Sequence, residues 1–280
     1  MIELDTPVLD NHLHLDPVNG RGVDAAEDFA AAGGTHLLVL NKPSWHLVGD
    51  VDEPEDFREV FDITVDVTGE AATVLDGTAW PVLGVHPALI SRLLDRGFDV
   101  EEAQDLMVGG LEIAAEYAAE GPALALKSGR PHYDVDDAVW AASNAVMREA
   151  FELAAEVGCP VQLHTEGGDD FTDVAEWAED RGLPQERVVK HYSGGKLTGP
   201  IPSVLSNEDE LEVAAERGEA FLMETDFIDD PDRPGAVLGP KTVPKRVRWM
   251  LEQGWEDAVW TAHVETPARV YGIDTEATHG

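Results

Sequence analysis

Asp10-Asn11-His12-Leu13-His14, inside the run 8–15, is the stretch on which the fold turns. It reads as a β-strand. Strand side chains alternate, so His12 and His14 project to one face, which Val8 and Asp10 share. Two imidazoles two residues apart at a strand end form a compact chelate for a divalent cation, although paired histidines in one strand also serve purely structural ends. Three further segments of the same make-up lie downstream: Leu163-His164-Thr165, Lys190-His191-Tyr192 and Glu224-Thr225-Asp226. Each follows a short apolar run, and helix-like stretches separate them. That order predicts a barrel whose strand tips converge on a metal.

Working outward, further β-like runs occupy residues 36–40, 80–85, 123–127, 160–164, 187–191, 201–205 (weak) and 220–225. Amphipathic, helical stretches alternate with them at 24–32, 55–75, 88–96, 100–120, 136–157, 173–181, 207–217 and 243–270. Gly33-Gly34 and Gly158 mark helix stops, and Ser206 or Asn207 is a natural N-cap. Eight strands alternating with helices predict an α/β fold with a parallel sheet, a (β/α)8 TIM barrel. The barrel is slightly distorted, because residues 193–202 leave the helix between strands six and seven missing or very short. No repeat, low-complexity tract or linker interrupts the chain, which reads as a single domain over 1–280.

His12, His14, His164, His191 and Asp226 all fall at the C-terminal tips of strands one, five, six and eight, the rim where chemistry sits in such barrels. A lone strand-end histidine is often a hydrogen-bonded structural residue; the shared position is what points to ligation. Imidazole and carboxylate together suit zinc or a similar divalent ion.

Composition sets the setting. The chain carries 56 acidic and 19 basic residues, a net charge of −37. Such self-repulsion strains a compact fold in dilute buffer, whereas at molar salt the Debye length shrinks to about 3 Å. The composition therefore fits a salt-rich cytosol of the halophilic archaeal kind. It argues against electrostatic capture of nucleic acid, which needs a basic footprint, without excluding a nucleic-acid substrate held at a metal centre. The single cysteine, Cys159, lies in an apolar run and reads as inert packing. No apolar run reaches the roughly 18 residues of a membrane span, and the acidic start lacks the basic residues of a signal peptide. A cytoplasmic protein without membrane contact is expected, monomeric or homodimeric.

The segments DNHLHL (10–15), GVHP (84–87), PVQLHTE (160–166), KHYSGG (190–195), METDF (223–227) and PARVYG (267–272) together make the chain resemble the TatD family of the amidohydrolase superfamily. That resemblance implies one or two divalent ions, zinc foremost, with His12, His14 and Asp226 holding one and His164 and His191 the second. One position departs from the family pattern. Where a metal-bridging glutamate is usual at the end of strand four, this chain has Lys127. A neutral lysine amine takes up CO2 to become a carbamate, the bridge used in barrels resembling phosphotriesterase; burial and neighbouring cations favour the neutral amine. The alternative is an ordinary lysine beside a single metal or against substrate.

The expected chemistry is hydrolysis by a metal-activated water, whose pKa falls from 15.7 to about 7. Asp226 is the expected catalytic residue, ligating a metal and shuttling the water's proton. His86, Arg130 and His132 are candidate substrate contacts, Arg130 as an anion anchor. Asp10 and Glu224 are candidate acceptors behind the ligands. The loop 41–46 is a candidate pocket wall, and Gly194-Gly195 either admits substrate or turns the chain. A phosphoester, or a related ester or amide, of a small-molecule or nucleotide-type substrate is the first choice. A DNA or RNA exonuclease and a non-catalytic metal-binding barrel are the alternatives.

Overall fold

The computed structural model describes residues 4–277. Among these, one sheet contains nine strands: β1 (Leu9–His14), β2 (His36–Leu40), β3 (Ala79–Gly84), β4 (Ala125–Gly129), β5 (Val161–His164), β6 (Val188–Ser193), β7 (Ile201–Leu205), β8 (Leu222–Glu224) and β9 (Phe227–Ile228). Neighbours run in the order β8-β7-β6-β5-β4-β3-β2-β1-β9, each pair parallel. The eighth expected strand, 220–225, is β8, and a further short strand, β9, follows it. Asp226 adopts a left-handed conformation, φ 48°, which interrupts the ladder between β8 and β9. The ring still closes there: Thr225 N donates to Asp10 Oδ1 (3.1 Å), Asp226 N to His12 O (2.9 Å), and β9 pairs with β1. The fold is the expected (β/α)8 barrel.

The helices are α1 (Val23–Ala31), α2 (Ser44–Leu47), α3 (Phe57–Ala72), α4 (Leu89–Asp95), α5 (Val100–Glu120), α6 (Asp137–Val157), α7 (Thr172–Asp180), α8 (Glu208–Arg217), α9 (Thr242–Glu252), α10 (Glu256–Trp260) and α11 (Thr266–Tyr271). Local chemistry sets their limits. Asp99 accepts from Glu102 N while Glu102 accepts in return from Asp99 N, both 2.9 Å, a capping box that starts α5. Asp136 caps α6 through Val139 N, and Gly158 ends it in the left-handed conformation. Asn207 takes the N-cap position of α8, but its side chain makes no capping bond. The expected continuous tail helix breaks at Gly254, and a π-turn, Thr261–Glu265, joins α10 to α11. No helix intervenes between β6 and β7; the loop packs on α8, where Gly195 N donates to Glu210 Oε2 (2.9 Å).

Alternation sorts the core into layers. Leu38 and Leu40 of β2 face the barrel interior with Leu9, Val82, Ala125, Val189 and Leu222, while Leu37 and Val39 pack outward among the helices. Val270 and Tyr271 of α11 join the inner cluster and close the barrel's floor. Strand β1 departs from the strict alternation expected of it. Its register slips by one residue between Asp10 and Leu13, a β-bulge. Val8 therefore lies in the outer layer and Leu9 in the inner one, so Val8 does not share the face of His12 and His14. At the opposite rim, a Cβ on Gly84 or Gly129 would meet the neighbouring strand's carbonyl oxygen, Lys127 O at 1.9 Å or His164 O at 1.8 Å. Only glycine lets these strand tips press together.

Candidate metal centre

The strand tips bring five of the expected ligands to one place. His12 and His14 come from β1, His164 from β5, His191 from β6, and Asp226 from the kink between β8 and β9. His12 Nε2 lies 3.7 Å and His14 Nε2 3.9 Å from Asp226 Oδ1. The rings of His12 and His191 stack with centroids 3.9 Å apart, and His191 Nε2 is 2.8 Å from His164 Nδ1. His12, His191 and Asp226 each offer a ligand atom within 4.8 Å of one another, a grouping that crosses the two ligand sets the resemblance implied.

Three of the four rings are held from behind. His12 Nδ1 pairs with Gln162 Oε1 (2.8 Å), His14 Nδ1 with Leu40 O (2.9 Å), and His191 Nδ1 with Glu224 Oε1 (3.2 Å). A carbonyl oxygen can only accept, so His14 carries its proton on Nδ1 and turns the Nε2 lone pair to the centre. His12 Nε2 is buried without a hydrogen-bond partner. An orphaned buried nitrogen facing a carboxylate is costly unless something bridges the two, and a divalent cation fits that donor set.

The electrostatics agree. Burial, then the Lys127 charge, holds His12 and His14 well below the usual imidazole range. Burial, then His12, does the same for His191, and burial lowers His164 to about 3. All four are neutral at pH 7, the form that ligates. Burial pushes Asp226 up to about 7, opposed by Lys127. Burial raises Glu224 well above the carboxylate range, reinforced by Asp226. Lys127 is buried on β4, and desolvation lowers its amine to about 8 against the opposing fields of Asp226 and Glu224.

A cavity of about 360 Å³ opens over this centre, lined by His14, Lys127, His164 and Asp226 at its base. His86, His132, Lys42, Trp45, His46 and Arg233 form its sides, so the loop 41–46 is a wall, part of it wound into α2. Lys42 is clamped: its Nζ donates to Asp16 Oδ2 (2.6 Å) and Asp229 O (2.9 Å). Asp229 in turn accepts from the backbone N–H groups of Asp16, Arg21 and Gly22. This clasp ties the loops after β1, β2 and β9 together at the mouth.

Other expected residues sit differently. His86 Nδ1 accepts from Ala88 N (3.1 Å), and His132 Nδ1 lies 2.9 Å from His164 Nε2. Arg130 does not line the cavity. Its Nε donates to Glu166 Oε2 (2.8 Å), its Nη2 to Glu166 Oε1, its Nη1 to Asn144 Oδ1 (3.2 Å), and it stacks over Trp140. Its donors are spent inside the protein, which argues against an anion anchor. Asp10 supports backbone rather than a ring: it accepts from His12 N, Thr225 N and Thr225 Oγ1. Gln162, the partner of His12, is a site residue that the sequence patterns above do not single out. A signal for it exists: a lone amide within the apolar run PVQLH, two residues before His164 on the same strand face.

The model of the family described as TatD-related DNase matches residues 9–272. A curated but uncharacterised protein of Methanocaldococcus jannaschii is 36% identical over 96% of this chain and 97% of its own length. Among solved structures, the TatD-like protein of Archaeoglobus fulgidus is similar with a TM-score of 0.63 and 18% identity, covering 95% of this chain and 100% of its own. An organophosphorus hydrolase from Deinococcus radiodurans is similar with a TM-score of 0.60 and 15% identity, over 97% and 94%. At these identities the two structures speak for the barrel fold.

Proposed function

The chain belongs to the TatD-related DNase family, and on that footing we propose that it is a divalent-metal-dependent hydrolase acting on a phosphoester or a related ester or amide of a small or nucleotide-type molecule. The observation that carries the reading is the buried, unpartnered His12 Nε2 facing Asp226 and His191 among neutral imidazoles.

His12, His14 and Asp226 would hold one ion, zinc by its liking for imidazole and carboxylate, and His164 and His191 a second. Lys127, with its amine lowered to about 8, would add CO2 with loss of one proton and bridge the pair as a carbamate. When bound, such ions supply Lewis acidity, lowering a water's pKa and polarising the bond under attack. Asp226 then takes a proton from the attacking water and returns it to the leaving group, a role suited to a carboxyl near 7. Its Oδ1 lies close to both His12 and His14, so shuttle and ligands share one small volume. His86 and His132 contact the substrate from the cavity sides.

The cavity's volume of about 360 Å³ and the net charge of −37 favour a small substrate over a long polyanion. The family's description as a DNase supports a nuclease as the second reading, here a DNA or RNA exonuclease. The same charge supports a salt-rich cytosol as the working environment. Zinc-loaded protein in molar salt, tested on phosphoester, carboxylester, lactone and amide panels and on single-stranded DNA, should cleave within one class. Asp226→Asn should lose at least about a hundredfold in rate while staying folded. Failure of every panel would leave the non-catalytic metal-binding barrel in its place.

A further inference from the structure

Between the apolar floor and the histidines lies a layer of buried polar side chains: Asn11, Gln162, Ser203 and Glu224, with Tyr271 reaching in from α11. Barrel interiors are ordinarily filled with branched apolar residues, so this layer requires an account. Its hydrogen bonds form one unbroken path. Gln162 Nε2 donates to Tyr271 Oη (2.9 Å), Tyr271 Oη to Asn11 Oδ1 (2.8 Å), Asn11 Nδ2 to Ser203 Oγ (3.0 Å), and Ser203 Oγ to Glu224 Oε2. The two ends of the path meet two ligand candidates, His12 at Gln162 Oε1 and His191 at Glu224 Oε1.

Its direction is forced at the His12 end. The Gln162 amide also lies 3.0 Å from the backbone oxygen of Asn11. A backbone carbonyl only accepts, so the amide atom beside it is the nitrogen. Gln162 Oε1 must then face His12, which places the His12 proton on Nδ1. The second Gln162 N–H occupies the Tyr271 oxygen, so the phenol donates to Asn11 Oδ1. Asn11 thereby offers nitrogen to Ser203, and the serine hydroxyl donates to Glu224. As a carboxylate, Glu224 accepts at Oε1 from both Tyr192 N (2.7 Å) and His191 Nδ1–H; burial opposes that charge, and cations at the site would restore it. The Asn11 backbone oxygen thus sets the His12 tautomer, and the ionised Glu224 carboxylate sets that of His191 on a different strand.

We propose that Tyr271 and Asn11 are positioning residues: through this directed path they hold His12 and His191 as Nδ1–H tautomers, with both Nε2 lone pairs turned toward the cation site. The path ties the C-terminal helix under the barrel to the site above it. The inference rests on reading the two histidines as cation ligands. Its core, the tautomers, is measurable without metal or turnover.

The test is two-bond proton–nitrogen NMR on metal-free, histidine-labelled protein in molar salt, with zinc affinity measured by chelator competition. In the wild type both rings should show the Nδ1–H pattern. Tyr271→Phe removes one hydroxyl from the path; it should mix the tautomers of at least one ring and weaken zinc about tenfold, the scale of lost support behind a ligand. Gln162→Glu probes the other end: it abolishes donation to Asn11 O and should disturb the His12 ring first. An Nε2–H pattern in either wild-type ring would overturn the proposal. So would a Tyr271→Phe protein with unaltered tautomers and affinity. If wild type binds no zinc, the hydrolase reading falls, and the ring spectra still decide the tautomer claim by themselves.

Discussion

At the residue scale, two titratable side chains give direct tests. Cys159 is buried, and burial raises its thiol to about 11. A raised thiol pKa means less thiolate at a given pH, so at pH 8 DTNB should modify the native protein at least about a hundredfold more slowly than the urea-unfolded chain. Equal rates would remove the inert-packing role. Lys127 is the more consequential case. If its carbamate bridges two ions, Lys127→Ala should bind one ion in place of two, and the rate should fall about 10–100-fold. Two ions retained by the variant, counted by plasma emission, would exclude the bridge. That these histidines and Asp226 stand at strand tips was legible, because an imidazole or carboxylate ending an apolar strand is a local pattern. The fate of Arg130 was not: its partners Glu166, Asn144 and Trp140 come from separate elements that no short spacing connects.

At the scale of elements, strand and helix order could be read from alternation, and even the missing helix between β6 and β7 showed in its glycine–proline loop. Two irregularities could not. The β1 bulge and the split between β8 and β9 depend on how neighbouring strands pair, and pairing is not written in either segment alone. Both serve the site: the bulge lets Asn11 and His12 each reach inward partners, and the left-handed Asp226 turns a carboxylate to the histidines. The clasp at the mouth is testable here. Asp229→Ala strips the acceptor from three backbone N–H groups in loops that also hold Lys42. It should cost about 3 kcal/mol in a urea titration. A loss below about 0.5 kcal/mol would show that the loops hold without it.

For the whole molecule, charge governs the response to solvent. With a net charge of −37, transfer from molar salt to dilute buffer lengthens the reach of repulsion from about 3 Å to tens of ångströms. Helical circular dichroism should fall on dialysis and return with salt; unchanged ellipticity and melting would refute the salt-adapted reading. The seam of the barrel has a kinetic corollary. Asp10 and Thr225, which lock the first stave to the last, stand 215 positions apart in the chain. Loop-closure entropy delays such distant partners, and parallel pairing rewards them late. Zinc uptake during refolding should therefore lag the recovery of backbone ellipticity, making the bound ion a clock for the moment the cylinder shuts.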